Sequence, residues 1–394
     1  MLNRSRIRIL GIRGLPARHG GFETFTERLA PYLVECGWEV TVYCQEESRG
    51  PIRTDSWLGV RRVIIPSGPD TPLSTIRFDL ASIRHAARHD DLCLTFGYNT
   101  AILTALLRVR GIHNILNMDG VEWKRSKWSF PAKVWFYFND WAGCLLSSHL
   151  IADNPHIKAL VQRHTSASRI SCIPYGTDIL GDVSIAPLTE LGLVPGTYLT
   201  VIARPEPENS LLQLVSAFSR RQRGTQLVVL GKLLADNPYH QAVRRAASEE
   251  VVFLGEIYDH HVLASLRKHC IGYLHGHQVG GTNPSLLEAM GAGNAVLAHD
   301  NKFNRWVVAD GALYFGTEDE ADDAISRLIV DTALRDRLAR SSLDRAAEAF
   351  SWESVLEQYR VLLARWARPV QRDEFRPTTA IPEEVEQVRI DKSR

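Results

Sequence analysis

The chain has 394 residues, 45% of them hydrophobic, and its 46 Lys and Arg against 45 Asp and Glu leave a net charge of +1. That length exceeds a usual single core and calls for two domains, while the balanced charge gives no general ground for nucleic-acid binding. The six cysteines are scattered without a C-x-x-C pair, a pattern that suggests neither a disulfide framework nor a zinc site and fits a reducing cytoplasm.

The first apolar stretch, residues 7–15, is broken by Arg8 and Arg13 and offers no secretory cleavage site. No run approaches the roughly twenty apolar residues needed to span a bilayer. Short β-rich runs at 6–10, 39–44, 61–65, 92–96, 114–117 and 149–152 alternate with helical patterns at 22–36, 74–88, 100–109 and 133–146. Such alternation predicts a doubly wound parallel sheet.

In the first strand-to-helix turn, Gly20 and Gly21 precede a helix and would let the backbone approach a ligand's phosphates. Arg13, Arg18 and His19 accompany them. A tight turn packed for folding alone is the alternative. The turn is neither a P-loop nor a G-x-G-x-x-G fingerprint. The loop Asn117–Arg125 leaves a strand toward the expected cleft, and its Asp119 is either a cleft-facing acid or an Asx-turn residue. Trp123, Lys124, Arg125, Lys127 and Trp128 interleave rings with cations, as do the residues that follow them. That mixture suits an anionic bilayer surface or a lipid-diphosphate acceptor, or a packed helix with snorkelling lysines. Asp153 and Asn154 after the sixth strand read as a structural turn.

Few strand signals fall in 178–196, which contains Pro187 and Pro195, so the domains should divide there. The pattern then restarts, with strands at 198–203, 226–231, 251–254, 270–274 and 295–298 and helices at 211–220, 238–247, 259–268 and 284–290. Two open sheets leave a cleft at the C-terminal ends of their strands. Arg204 follows the first strand of the second set and Lys232 the next, both placed to meet an anion. His275-Gly276-His277 makes a weak metal site, and His277 is better read as a cleft residue touching a donor.

The richest segment is Gly280–Asp300. Gly280 and Gly281 precede Thr282, the N-cap candidate Asn283 and the first-turn Pro284. A helix start of this kind presents free N–H groups and partial positive charge to an anion. Glu288 sits more than a turn further on, where a phosphate would repel it and the hydroxyls of a ribose would not. Phosphate-binding backbone plus a hydroxyl-binding acid suits a sugar nucleotide. The acidic run 318–323 complements a helix start and reads as structural, so no metal is expected. A helix over 352–366 follows, and beyond 368 the chain is rich in Pro, Glu and Arg without apolar periodicity, as in a mobile tail.

The Gly280–Asp300 segment resembles the nucleotide-sugar signature of retaining GT4-type glycosyltransferases. More narrowly it is similar to a branch that includes bacterial rhamnosyltransferases of polysaccharide assembly, with a DUF1972-like N-terminal domain. Ile173-Pro-Tyr-Gly-Thr-Asp178 matches that family's exit from its first domain, and Arg204 with Glu208 its G-R-x-x-x-E-K element. Two positions depart: Gly280 stands where the first of two acids is usual, and Asn209 stands where a Lys is usual.

The resemblance implies an α/β GT-B architecture of two Rossmann-like domains facing a cleft. Residues 1–180 would form the acceptor-side domain and 181–351 the donor-side domain, with 352–368 crossing back and 369–394 a tail. It implies Asp119, Arg204 and Glu288 as the catalytic set, with Asp119 touching the transferred sugar or the acceptor hydroxyl. Gly20, Gly21, Lys232, His277, Gly281, Thr282 and Asn283 would join Arg204 and Glu288 around the donor. Rhamnose carried on dTDP is the expected donor and a lipid-linked saccharide the expected acceptor, transferred with retention in the cytoplasm or at the inner face of the plasma membrane. No cofactor or metal is expected. A nucleotide-sugar epimerase of the same fold, and a non-catalytic sugar-nucleotide binder suggested by Gly280 and Asn209, are the rival readings.

Overall fold

A computed structural model of the chain describes residues 5–18, 20–125 and 128–367. His19, Lys127 and the expected tail lie outside the described residues.

The first sheet contains β1 (Arg6–Leu10), β2 (Glu39–Glu46), β3 (Arg53–Trp57), β4 (Val60–Pro66), β5 (Leu92–Phe96), β6 (Asn114–Asn117), β7 (His149–Ala152) and β8 (Ile170–Cys172). Their spatial order is β3-β4-β2-β1-β5-β6-β7-β8. All neighbours pair in parallel except β3 with β4. The second sheet contains β9 (Tyr198–Ile202), β10 (Gln226–Leu230), β11 (Val251–Gly255), β12 (Gly272–His275), β13 (Val296–His299) and β14 (Ala312–Phe315). Its order is β11-β10-β9-β12-β13-β14, all parallel.

The central strands β5, β6 and β7 are buried at every residue, because helices cover both faces of the sheet. Strand β3 is the informative exception. Arg53-Thr-Asp-Ser-Trp57 is almost wholly exposed and polar, so it carries no apolar signal. It forms because Leu58 and Gly59, at φ 46° and 78°, make a two-residue left-handed hairpin turn back from β4. The short edge strands β8 and β14 and the helix Pro155–Val161 also went without a signal of their own. The helix expected from 133 begins at Phe130, since Pro131 fits the first turn. The stretch expected as a helix over 100–109 is a 3₁₀ turn, Ala101–Thr104, running into the short helix Ala105–Val109.

The helix Trp352–Ala364 packs on the first domain. Tyr32 donates its hydroxyl to Glu357 at 2.8 Å, and the Phe25 and Tyr359 rings stand 4.7 Å apart. One apolar cluster joins Phe25, Tyr175, Leu286, Met290 and Tyr359, so a single core crosses from one sheet to the other.

Candidate active site

Two helix starts face each other between the sheets. Gly21 opens the helix Gly21–Glu35, and a Cβ added there would reach Pro284 Cγ at 3.2 Å. Pro284 opens the helix Pro284–Gly291, capped by Asn283, whose Oδ1 accepts from Ser285 N–H at 3.1 Å and Ser285 Oγ at 2.8 Å. Asn283 is thus the expected cap, and its side-chain oxygen is spent on that role. Across the same gap, an added Cβ on Gly120 would lie 3.5 Å from Gly280 Cα. The Asp119 loop and the Gly280 loop therefore meet backbone to backbone.

Thr282 and Gly281 depart from the expectation that they serve a donor. Thr282 is 5% exposed. It gives its N–H (2.7 Å) and its hydroxyl (3.0 Å) to Asp153 Oδ2 and accepts the Tyr175 N–H at 3.0 Å. A Cβ on Gly281 would overlap the Asp153 carboxylate, which only glycine avoids. In this arrangement the helix-start N–H that was expected to meet a phosphate meets a protein carboxylate. Asp153, read from sequence as a turn residue, is instead a bridge between the domains. Burial, and to a lesser degree the charge of Asp119, push its carboxyl up to about 7 against the pull of the Thr282 bonds. Its Oδ1 is buried without a partner.

Asp119 sits at φ 56°, a left-handed conformation that Asp tolerates better than most residues. Its N–H donates to Asn117 Oδ1 at 3.1 Å, and its own Oδ1 accepts the Gly120 N–H at 2.7 Å. Asn117 in turn donates from Nδ2 to the Tyr359 hydroxyl oxygen at 2.8 Å. The crossing helix thus reaches the Asp119 loop through one buried amide. Burial and the neighbouring Glu122 raise the Asp119 carboxyl, while Arg125, the Gly120 N–H and Arg204 draw it down.

Arg204 is exposed on the loop after β9 and lies across the cleft from that carboxyl. Asn209, at the position where Lys was expected, donates to the Arg204 carbonyl at 2.8 Å and so shapes the loop instead of supplying charge. His277 is held down to about 3 by burial and by the guanidiniums of Arg125 and Arg204. It stacks on His275 at 4.4 Å, and it therefore sits in the cleft as a neutral ring. Arg125 and Arg204, one from each domain, thus act on both the Asp119 carboxyl and the His277 ring. Lys232 is exposed after β10.

Glu288 is 38% exposed along its side chain, and Arg267, nearly buried, meets it at 2.5 Å. Sequence gave no hint of that partner. Arg267 meets one oxygen of the half-exposed carboxylate, which leaves the other placed to accept from hydroxyl donors and suits the ribose role. Gly20, just outside the first helix, stands 3.1 Å from Glu23 Oε2 as measured from an added Cβ, and Glu23 accepts the Arg13 N–H at 3.1 Å. The Arg13 side chain pairs with Asp70 at 2.8 Å.

Of the described residues in the aromatic and basic segment expected to face a bilayer, Trp123, Arg125 and Trp128 are half-buried, while Lys124, Phe130, Trp135 and Phe138 are exposed. Trp123 donates to Asp140 at 3.3 Å and Trp128 to Glu122 at 2.9 Å, and both rings pack on the core of the first domain. Arg125 pairs with Glu122 at 2.6 Å. Lys124 is exposed, its ammonium 5.2 Å from the Trp123 ring centroid. The acidic run behaves as expected: Glu320 closes a capping box with Thr317, and Asp322 pairs with Arg223 at 2.6 Å. Among the described residues no group of three or more His, Cys, Asp or Glu is placed to hold a metal ion. No helix among them is long and apolar enough to cross a membrane.

Residues 195–348 match the family model for glycosyl transferases group 1, and residues 4–178 match that of a domain of unknown function, DUF1972. No curated protein sequence matches the chain. The fold is similar to sucrose-phosphate synthase from Thermosynechococcus elongatus, with a TM-score of 0.78 at 19% identity over 92% of this chain and 100% of that one. It is also similar to Anabaena Alr3699/HepE in complex with UDP-glucose, with a TM-score of 0.72 at 15% identity over 92% and 100% of the two chains. A trehalose-phosphate synthase from Burkholderia xenovorans in complex with glucose-6-phosphate gives 0.68 at 14% identity over the same shares. At such identities the likeness speaks for the fold, which is GT-B.

Proposed function

We propose that this chain, whose second domain matches the glycosyl transferases group 1 model, is a glycosyltransferase that moves a hexosyl group from a nucleoside diphosphate sugar to a lipid-linked saccharide, with retention, in cell-surface polysaccharide synthesis. The observation that carries this reading is that Gly120, next to Asp119, meets Gly280 across the two domains, with the charges of Arg125 from one domain and Arg204 from the other both acting on Asp119. Leaving-group charge is the central difficulty of glycosyl transfer, and positioned cations are the electrostatic help worth most to it. Arg204 and Arg125 supply that charge. Glu288 holds the ribose, and Asp119 contacts the transferred sugar or the acceptor hydroxyl. The donor sugar is L-rhamnose on dTDP, on the strength of the motif resemblance. Structural neighbours crystallised with UDP or UDP-glucose make UDP-glucose the donor to test against it.

No metal takes part in this reading, and the enzyme works in the cytoplasm at the inner face of the plasma membrane. A donor screen by thermal shift tests it. The true donor at a hundred times its dissociation constant stabilises by roughly 2.7 kcal/mol, and Glu288→Ala removes most of that shift. Transfer to saccharide acceptors should survive EDTA. A donor product formed without any acceptor would favour the epimerase. Binding with no turnover would favour a non-catalytic role, and a rate lost to EDTA and restored by Mg²⁺ would overturn the metal-free mechanism.

A further inference from the structure

The helix Phe130–Leu146 buries one side, through Phe136, Asn139, Ala142, Gly143 and Cys144. Its other side is also apolar. Phe130, Val134, Phe138, Trp141 and Leu145 are 79%, 52%, 52%, 39% and 59% exposed. They are spaced by four, four, three and four residues, which is one continuous stripe. A helix apolar on both sides is ordinarily buried on both, and a patch of this kind on a soluble surface marks an interaction site. The helix's one acid, Asp140, accepts the Trp123 indole N–H and so is turned to the protein.

The surroundings of the stripe say what covers it. Tyr137, 45% exposed, and Trp141 border it with rings that carry a polar tip, the side chains that settle at the headgroup level of a bilayer. Cations stand beside them: Lys133 on the helix itself, and Lys124 and Arg163 in the wall of a cavity that Tyr137 also lines. His164 stacks on Trp141 at 4.2 Å. Basic groups around an apolar face complement anionic lipid. The same cavity, of about 130 Å³, has Asp119 and Gly120 in its wall. Tyr137 and the candidate catalytic loop therefore share one cavity.

We propose that the helix Phe130–Leu146 lies in the headgroup layer of an anionic bilayer, holding the Asp119 side of the cleft against the surface that carries the acceptor. The docking stands on the exposed stripe and its cations; its purpose rests on the lipid-linked acceptor reading above. Within the stretch expected for this role from sequence, Trp123, Arg125 and Trp128 are half-buried, and the exposed face belongs to its later part, where Phe130, Lys133, Trp135 and Phe138 lie on this helix.

The test uses the full chain and sedimentation with phosphatidylcholine vesicles, with and without phosphatidylglycerol. Wild type should sediment with the anionic vesicles at low salt and be released by high salt. Phe138→Ser with Leu145→Ser changes two exposed side chains and should weaken binding roughly tenfold or more, with donor hydrolysis and melting temperature unchanged. Lys133→Gln should weaken binding to the anionic vesicles alone. Wild type that ignores anionic vesicles overturns the proposal. So does a serine variant that binds like wild type, or a wild-type dimer that this variant dissolves, since a second copy would then cover the stripe. Vesicle binding without transfer to any lipid-linked saccharide leaves the docking standing and removes only the acceptor reading.

Discussion

Replacing Asp153 by Asn tests the bridge between the domains through its pH dependence. The carboxylate accepts the Thr282 N–H at 2.7 Å and hydroxyl at 3.0 Å, yet its Oδ1 is buried without a partner. Burial raises the carboxyl from 3.8 to about 7. With a folded value above the unfolded one, the folded state alone keeps the proton between these limits. Stability is therefore greatest below the lower value and falls as pH rises toward the upper one. The interval is roughly three pH units at about 1.4 kcal/mol each, so the ionised side chain costs up to about 4 kcal/mol. Asn stays neutral and keeps one oxygen for Thr282, at the loss of about 1 kcal/mol for an imperfect second bond. At about pH 5 the two proteins should melt within a degree or two of each other, whereas near pH 8 Asp153→Asn should be the more stable by about 3 kcal/mol. The measurement is the difference in Tm between the two proteins from pH 5 to pH 8, in which every other titrating group cancels. A difference that stays flat across that range would refute the reasoning, because it would mean that Asp153 is ionised throughout or solvated in both states.

Arg204→Ala should lower kcat more than it raises the donor KM, since the charge it faces grows in the transition state; a rise in KM alone would confine Arg204 to holding the ground state. Tyr359→Phe removes the acceptor of a buried Asn117 amide N–H and should cost about 1–3 kcal/mol of stability. It should also lower turnover at an unchanged donor KM, through the Asp119 N–H that Asn117 holds. Normal turnover in a folded variant would show that the Asp119 loop keeps its place without the crossing helix.

What the sequence determined by itself is whatever local physics governs. Strands such as Leu92–Phe96 are apolar throughout because both faces are covered, and the Asn283-Pro284 helix start needs only its own side chain and backbone. The positions of Asp119, Arg204 and Glu288 at strand ends and in a helix followed from the alternation of elements. The tertiary structure decided the partners. Asp153 meets Thr282 across 129 positions of chain, and Asn117 meets Tyr359 across 242. Glu288 finds Arg267 on a different helix, and β3 exists only because a two-residue turn delivers a polar strand to an edge. The aromatic and basic stretch shows the reason most plainly. Its composition promised a surface, but whether a tryptophan faces lipid or core depends on which side of its element packs on the sheet. That choice turned Trp123 and Trp128 partly onto the core and left Phe138 and Leu145 outside.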